Sequence, residues 1–534
     1  MKTLTFSLLI LTSYVWCAES PHPIPRIEKT NGQVRLVIDG APFLMLGGQV
    51  HNSTTSNPEQ LIKALDSLVG LHANFAEVPL YWESIEPNPG QFDFHSVDDA
   101  VQAARQRALR LVFLWFGTWK NGESHYVPEW VKRDKAKYRR ATGSRGEETA
   151  IISPFCEKAR EADQKAFAAA MRHIRSIDET ERTVIMIQVE NETGFLGIDR
   201  DYAADVTRLF RAPVPGELIS FLDQHREGLT ATMKEAWAES TFRKSGTWSE
   251  IFGELAPEAF SAWHVARYVN AVAAAGKQEY PLPMYVNAWL IEGAERAGRW
   301  PSGGPTEHVL DVWKAAAPAI DILAPDIYYP KFYDVCTQYS RPDNVLFVPE
   351  TNYNPYFAGF VFTTFADFNG IGFSPFGIDD AIKDGASTPE ATQFEDSYRV
   401  LRPLLPLIAR YQYTGKMHAV LQGIANREDW VHSFRVGRKL AAIVEFTVPF
   451  SPEKGRARGL IMELAPDDFL VVGAGFKVAF RELEGPLGDA EVLSIDEGTY
   501  EGDRWIPARR LNGDERHVAL PDKSTILRVK LLRP

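Results

Sequence analysis

The chain has 534 residues, 45% of them hydrophobic, and a formal net charge of −12. That length exceeds one ordinary domain and suits a large barrel followed by a smaller module. Lys and Arg are scattered along the sequence. No nucleic-acid partner is therefore expected, because phosphate recognition needs a concentrated basic face; an acidic surface serves solubility and tolerates a neutral ligand such as a sugar.

At the N-terminus, Lys2 precedes the apolar run Leu4–Trp16 and then Cys17-Ala18-Glu19-Ser20. This has the shape of a signal peptide over residues 1–18, with an apolar stretch too short to span a bilayer comfortably. The expectation is a secreted or periplasmic protein with no membrane partner once the leader is removed. Cys156 and Cys336 then remain, too far apart to read as a disulfide framework, and both are expected as buried thiols. There is no CxxC and no His/Cys cluster at zinc spacing, so neither a metal nor an organic cofactor is expected.

From about residue 35 to 406, short apolar runs alternate with longer amphipathic ones. Strands are predicted at Pro42–Val50, Ala73–Leu80, Leu109–Trp115, Val184–Glu192, Pro283–Leu290, Ile320–Tyr328, Val345–Glu350 and Gly370–Phe376. Helical patterns fall between them, among them Pro58–Val69, Ser96–Ala108, Glu157–Ile177, Glu258–Ala275 and Glu307–Ala316. Strands that are apolar throughout belong in a parallel sheet covered on both faces. Eight such units predict an α/β fold, a (β/α)8 TIM barrel over residues 24–408. The largest insertion, Asp201–Glu258, lies between the fourth and fifth strands. A last helix is predicted at Gln393–Ile408.

After Tyr411 the texture changes. Lys439–Phe446, Asp468–Phe480, Ala490–Ser494 and Ser524–Leu532 are short β-type runs punctuated by Gly, Pro and Asp, predicting a smaller antiparallel β-sandwich domain over 411–534. It holds Trp430 and Trp505 but no strand-end carboxylates. Three roles suit it: binding carbohydrate, supporting the barrel, or packing in a homodimer. The structural cap is the preferred reading.

Barrel chemistry sits where strands end at the C-terminal rim. The fourth strand ends on Glu192 and the seventh on Glu350. Retaining glycoside hydrolysis needs two carboxyl groups about 5 Å apart, one on each side of the anomeric carbon. Strands four and seven lie almost across the barrel mouth, so the two glutamates are placed to flank a sugar ring. Most of the 70 acidic residues are solvated surface charges, and a buried ion pair explains either glutamate alone better than it explains both at strand ends. Glu190 competes with Glu192, since alternation puts both on one side of the strand; lying one step deeper, it is assigned a structural role.

Gln188-Val-Glu-Asn-Glu-Thr-Gly194 resembles the catalytic segment of the family 35 glycoside hydrolases, mainly β-galactosidases. Val78-Pro-Leu-Tyr-Trp-Glu-Ser-Ile-Glu-Pro-Asn-Pro-Gly-Gln-Phe-Asp-Phe94 is similar to that family's second-strand segment, and Gly47-Gly-Gln-Val-His-Asn52 to its first. The resemblance covers roughly residues 35–400 and points to a bacterial branch with an extra C-terminal β-domain. It implies that Asn191 holds the sugar 2-OH, Glu192 is the acid/base and Glu350 the nucleophile. Two positions depart from the family. Thr193 stands where Tyr is usual, and Trp115-Phe-Gly-Thr-Trp119 lacks the carboxylate of the usual Ala-Glu-Trp segment.

Aromatic side chains supply the rest of a sugar site. Trp115, Trp119, Trp289, Tyr328 and Tyr329 fall at or just past predicted strand ends, where they either stack on a pyranose or fill the core. Tyr328 or Tyr329 is expected to donate to Glu350, and His51 and Asn52 to meet sugar hydroxyls. The reading is an exo-acting, retaining β-galactosidase acting on oligosaccharides, with galactosylated xyloglucan fragments as first substrate. The rivals are an endo-acting β-glycanase of the same clan and a non-catalytic carbohydrate-binding protein.

Overall fold

The computed structural model describes residues 22–293, 296–423, 431–437, 439–451, 455–483 and 488–532. The expected leader and Trp430 lie outside the described residues. Eight parallel strands form the barrel: Met45–Gln49, Phe75–Tyr81, Arg110–Phe116, Val184–Val189, Met284–Trp289, Ile322–Ile327, a split seventh strand, and Gly372–Phe373. Pairing runs in chain order from the eighth strand through the first to the sixth.

The seventh strand closes the circle in two pieces. Phe347–Val348 pairs with the eighth strand, and Glu350–Thr351 pairs with the sixth, Asp326 opposite Glu350. Pro349 separates them; with no N–H it cannot donate to a ladder. Glu350 is therefore the first residue past the seam.

Both faces of each strand are buried, as the apolar runs require. Val112, Leu114 and Phe116 join the interior cluster with Met186, Tyr285 and Phe347, while Leu111, Phe113 and Trp115 face the surrounding helices. Those helices include Pro58–Gly70, His95–Gln106, Glu157–Asp178, Ala256–Glu279 and Phe332–Tyr339. Asn57 caps the first, accepting from the backbone N–H of Glu59 and Gln60 ahead of a proline at the first turn. A hairpin, Arg26–Thr30 with Gln33–Ile38, brings Val34, Leu36 and Ile38 into the interior cluster at the end of the barrel where the strands begin.

The insertion after strand four folds as short helices, among them Gly216–Gln224, Ala231–Glu239 and Trp248–Phe252. The last opens on a capping box between Thr247 and Glu250. Trp237 and Trp248 are fully buried and root the insertion in the main core.

The C-terminal residues form two antiparallel sheets. One has six strands, in the order Met417–Leu421, Arg458–Ala465, Asp468–Ala474, Thr525–Leu532, Glu491–Glu501, Arg504–Arg510; the other has four, Val431–Val436, Leu440–Phe446, Phe476–Glu482, Ala519–Leu520. The run predicted as one strand, Asp468–Phe480, is two strands in different sheets. They are divided at Gly475, whose φ of 80° suits glycine and where a Cβ would lie 2.7 Å from Val448. Alternation then serves two interfaces. Ile461, Phe469 and Val471 face the sandwich core, while Leu460, Met462, Leu470 and Val472 merge with the core of the barrel. At that junction Arg458 reaches Asp396 at 2.6 Å and Ser397 at 2.8 Å, and Asp396 also accepts from the Ser524 N–H and hydroxyl.

Candidate active site

Strand four ends at Val189, three residues short of the prediction. Glu190 and Glu192 both adopt left-handed backbone, with φ of 66° and 43°. This is a costly conformation for side chains beyond glycine, and one that clusters at functional sites. Alternation therefore fails beyond Val189. Glu190 turns toward the helices, where its Oε2 accepts the Trp119 N–H at 2.7 Å and its neighbour is Asp163. Burial and the Asp163 carboxyl hold Glu190 well above its usual range, as expected of two carboxyls sharing a proton. Glu192 turns into the barrel mouth.

Glu350 is buried and accepts from four side chains. Tyr328 Oη donates to Oε2 at 2.7 Å; Gln49 Nε2 donates to Oε1 at 3.0 Å, and the Asn191 and Asn287 amides each approach Oε1 at 3.4 Å. The tyrosine facing Glu350 is thus Tyr328, with Tyr329 farther out on the cavity wall. The Glu192 backbone N–H donates to Asn287 Oδ1 at 2.9 Å, and Lys120 Nζ donates to Asn191 Oδ1 at 2.9 Å. Burial pushes the Glu192 carboxyl up to about 7; the nearby Glu350 adds to the rise and Lys120 opposes it. Carboxylate oxygens of Glu192, Glu350 and Asp326 lie within 4.8 Å of one another. Burial first, then Glu350 and Glu192, hold Asp326 well above the usual carboxyl range.

These groups line a cavity of about 350 Å³. Its wall includes Asn52, Lys120, Asn121, Trp289, Tyr328, Tyr329 and Phe376. A larger cavity of about 820 Å³ lies elsewhere, between the insertion segment 223–232 and residues 338–343, and contains neither glutamate.

Two expected sugar contacts, Trp115 and Trp119, are buried in the core, and His51 is engaged by a neighbour. Trp115 faces outward, its indole donating to Asp163 at 2.9 Å and its ring against Phe167, because even-numbered residues of its strand take the interior. Trp119 is buried edge-on to Tyr268, behind Asn191, whose N–H it accepts through its carbonyl. His51 is held by Asp379 through both its backbone N–H and its ring, and lies against Phe376. Thr118, in the segment lacking the family's carboxylate, gives its hydroxyl to Asp163 at 2.7 Å.

The sequence reading missed Gln49, Lys120, Asn287 and Asp326. Gln49, Asn287 and Asp326 each interrupt an apolar strand, and that interruption was the available signal; Lys120 lies in the loop after strand three and carried none.

Residues 35–250 match the family model described as glycosyl hydrolases family 35. The first half of the barrel is thus similar to the family 35 glycosyl hydrolases. Residues 394–520 match a domain of unknown function, beginning within the helix Thr392–Leu401 that carries Asp396. No curated protein matches the chain. Among solved structures, the chain is similar to the catalytic domain of a β-amylase from Paenibacillus polymyxa, with a TM-score of 0.48, 13% identity, and coverage of 66% of this chain and 96% of that one. It is also similar to a β-galactosidase from Bacillus circulans sp. alkalophilus, with a TM-score of 0.47, 13% identity and coverage of 69% and 57%. An exo-β-1,4-mannosidase from an Opitutaceae bacterium, strain TAV5, gives 0.42, 12%, 69% and 61%. The chain thus spans under two thirds of the last two. Among the described residues, no helix is long and apolar enough to cross a membrane. This glycoside hydrolase keeps Cys156 and Cys336 as buried, free thiols.

Proposed function

We propose that the glycoside hydrolase is a retaining, exo-acting β-galactosidase with Glu350 as nucleophile and Glu192 as acid/base. The observation that carries this reading is the separation of the two carboxyls. Their oxygens lie within 4.8 Å, which suits direct attack on the anomeric carbon; inverting enzymes keep their carboxyls about 6.5–9.5 Å apart to admit a water. Glu350, surrounded by donors, attacks C1 while Glu192 gives its proton to the departing oxygen. A water then loses a proton to Glu192 and releases the sugar from Glu350 with its configuration kept. Burial that raises Glu192 to about 7 suits a group that must be acid in the first half and base in the second.

The compact cavity supports exo action, since its volume lies at the small end for ligand sites and suits one terminal sugar. The family resemblance supports β-galactose. Trp289, Tyr329 and Phe376 on the wall support stacking on a neighbouring sugar. We take galactosylated xyloglucan fragments as first substrate and galactan or arabinogalactan side chains as second, met outside the cytoplasm if residues 1–18 act as a leader. NMR of the first-formed anomer from an aryl β-galactoside tests the reaction. The β-anomer is expected, and the α-anomer first would refute retention. Higher kcat/KM on lactose than on xyloglucan oligosaccharides would refute the substrate.

A further inference from the structure

Asp326 ends strand six between the two glutamates, and neither the sequence pattern nor the family assignment gives it a role. Its Oδ2 accepts the Asn287 amide at 2.8 Å. Its Oδ1 is buried with no hydrogen-bond partner, although oxygens of Glu192 and Glu350 lie within 4.8 Å of the Asp326 carboxyl. Lys120, Tyr285 and Tyr328 also face the Asp326 carboxyl, but none donates to that oxygen, and the two glutamates beside it are acceptors when ionised. A buried carboxylate oxygen without a donor is costly, whereas the same oxygen carrying a proton becomes a donor with acceptors in reach.

We propose that Asp326 is a positioning residue of the glycosidase reaction, a neutral carboxylic acid whose Oδ1–H hydrogen-bonds Glu192 once Glu192 has given its proton to the leaving group. The assignment rests on the retaining mechanism proposed above. The groups facing Asp326 are Glu192, Glu350, Glu77, Tyr285, Tyr328, Tyr339 and the ammonium of Lys120. Lys120 is the one cation among them and is engaged by Asn191. With Asp326 neutral, charge is conserved within the site. In the resting enzyme Glu350 is the anion and Glu192 holds a proton. In the glycosyl-enzyme Glu350 is an ester, Glu192 is the anion, and the proton it lost has left with the alcohol. The Asp326 proton stays on Asp326 throughout and turns to whichever glutamate is charged. Asn287 couples the parts mechanically, holding the Glu192 backbone with one amide atom and Asp326 with the other.

Two variants test this. Asp326→Asn keeps an acceptor for Asn287 and puts an N–H donor in place of Oδ1–H. It should lose no more than about tenfold in kcat, with the alkaline limb of kcat/KM unmoved, because a neutral group replaces a neutral group. Asp326→Leu removes the donor. It should slow release of the sugar from Glu350, giving a burst of phenol from an activated aryl galactoside and a KM that falls together with kcat. An infrared difference spectrum between wild type and Asp326→Asn should show a lost carboxylic-acid band, independently of turnover. A downward shift of the alkaline limb in Asp326→Asn by about one pH unit or more would mean that a negative charge had been removed, and would overturn the proposal. A folded Asp326→Leu enzyme with neither burst nor slowed release would overturn it as well. If Asp326→Leu does not fold, the pH limb and the infrared band of the isosteric variant decide. A wild-type enzyme that hydrolyses no β-glycoside overturns the glycosidase reading itself, and the role of Asp326 with it.

Discussion

Asn287 Oδ1 accepts the backbone N–H of Glu192 at 2.9 Å, so a side chain on strand five fixes the residue at the end of strand four. The same amide donates to Asp326 and approaches Glu350. Glu192 sits in left-handed backbone beyond the last ladder bond of its strand, held by this side-chain strut on its N–H and by the Gly122 N–H, which its carbonyl accepts at 2.8 Å. Replacing Asn287 by Ala should lower kcat on an unactivated galactoside by about 10²-fold, the cost expected when an acid is displaced by an ångström. Steady-state kinetics on oligosaccharide and aryl substrates checks this; an unchanged kcat would show that the backbone alone holds Glu192.

The two glutamates should separate by leaving group. Glu192→Ala should keep measurable turnover of activated aryl galactosides, rising with added azide, since a good leaving group departs without a proton. Glu350→Ala should lose nearly all turnover of every substrate. If Glu190→Gln, rather than Glu192→Gln, shows the azide-rescued pattern, the roles on strand four are reversed.

Activity should fall as pH rises through about 7, because burial holds the Glu192 proton to that point and the first chemical step spends it. The sign is that of a carboxyl raised in the folded state: the protonated form is favoured by folding, and its contribution to stability is present at low pH and lost as pH rises through the folded value. Glu77, Glu190 and Asp326 are raised by burial in the same direction. Thermal melts across pH 5 to 9 should therefore show a midpoint that declines toward the alkaline end. A kcat/KM profile still rising beyond neutrality would contradict the acid assignment.

The aromatic residues divide cleanly. Trp289→Ala should raise KM for oligosaccharides and barely change stability. Trp115→Ala should cost about 3–5 kcal/mol of stability, because the ring is buried against Phe167 and its indole N–H satisfies Asp163. Chemical denaturation and kinetics on both variants distinguish the two roles, and a KM effect from Trp115 with no loss of stability would reverse them.

Arg458→Ala removes the buried one of two guanidinium partners of Asp396 and leaves Arg399 at 2.9 Å, so it should cost less than the about 3–5 kcal/mol expected when a buried charge loses its sole partner. Truncation after residue 408 goes further, since it uncovers the barrel face met by Leu460, Met462, Leu470 and Val472. The truncated chain should be insoluble. A soluble truncation with full activity would show the C-terminal sheets to be dispensable.

Glu192 and Glu350 were legible because a carboxylate ending an apolar run is unusual and the rim of a barrel gives it a purpose. The orientation of Trp115 was less legible for a complementary reason. In Arg110–Phe116 both faces are apolar, so composition alone does not say which ring points inward. Asn287 and Asp326 were passed over because each is a polar residue within a run scanned for its hydrophobicity. The failed alternation at Glu190 has a local cause, since two left-handed residues in three are invisible to a period-2 pattern.

The seam at Pro349 also bears on how the enzyme fails. Glu350 and Thr351 pair with strand six and Phe347 and Val348 with strand eight, and beyond the seam the Thr351 carbonyl accepts the Phe376 N–H at 2.9 Å. Like a hoop closed at an overlap, the barrel has a circumferential joint beside Glu350. Warming should loosen that joint before the helices or the C-terminal sheets give way, so the enzyme would fall silent while still folded and regain activity on cooling.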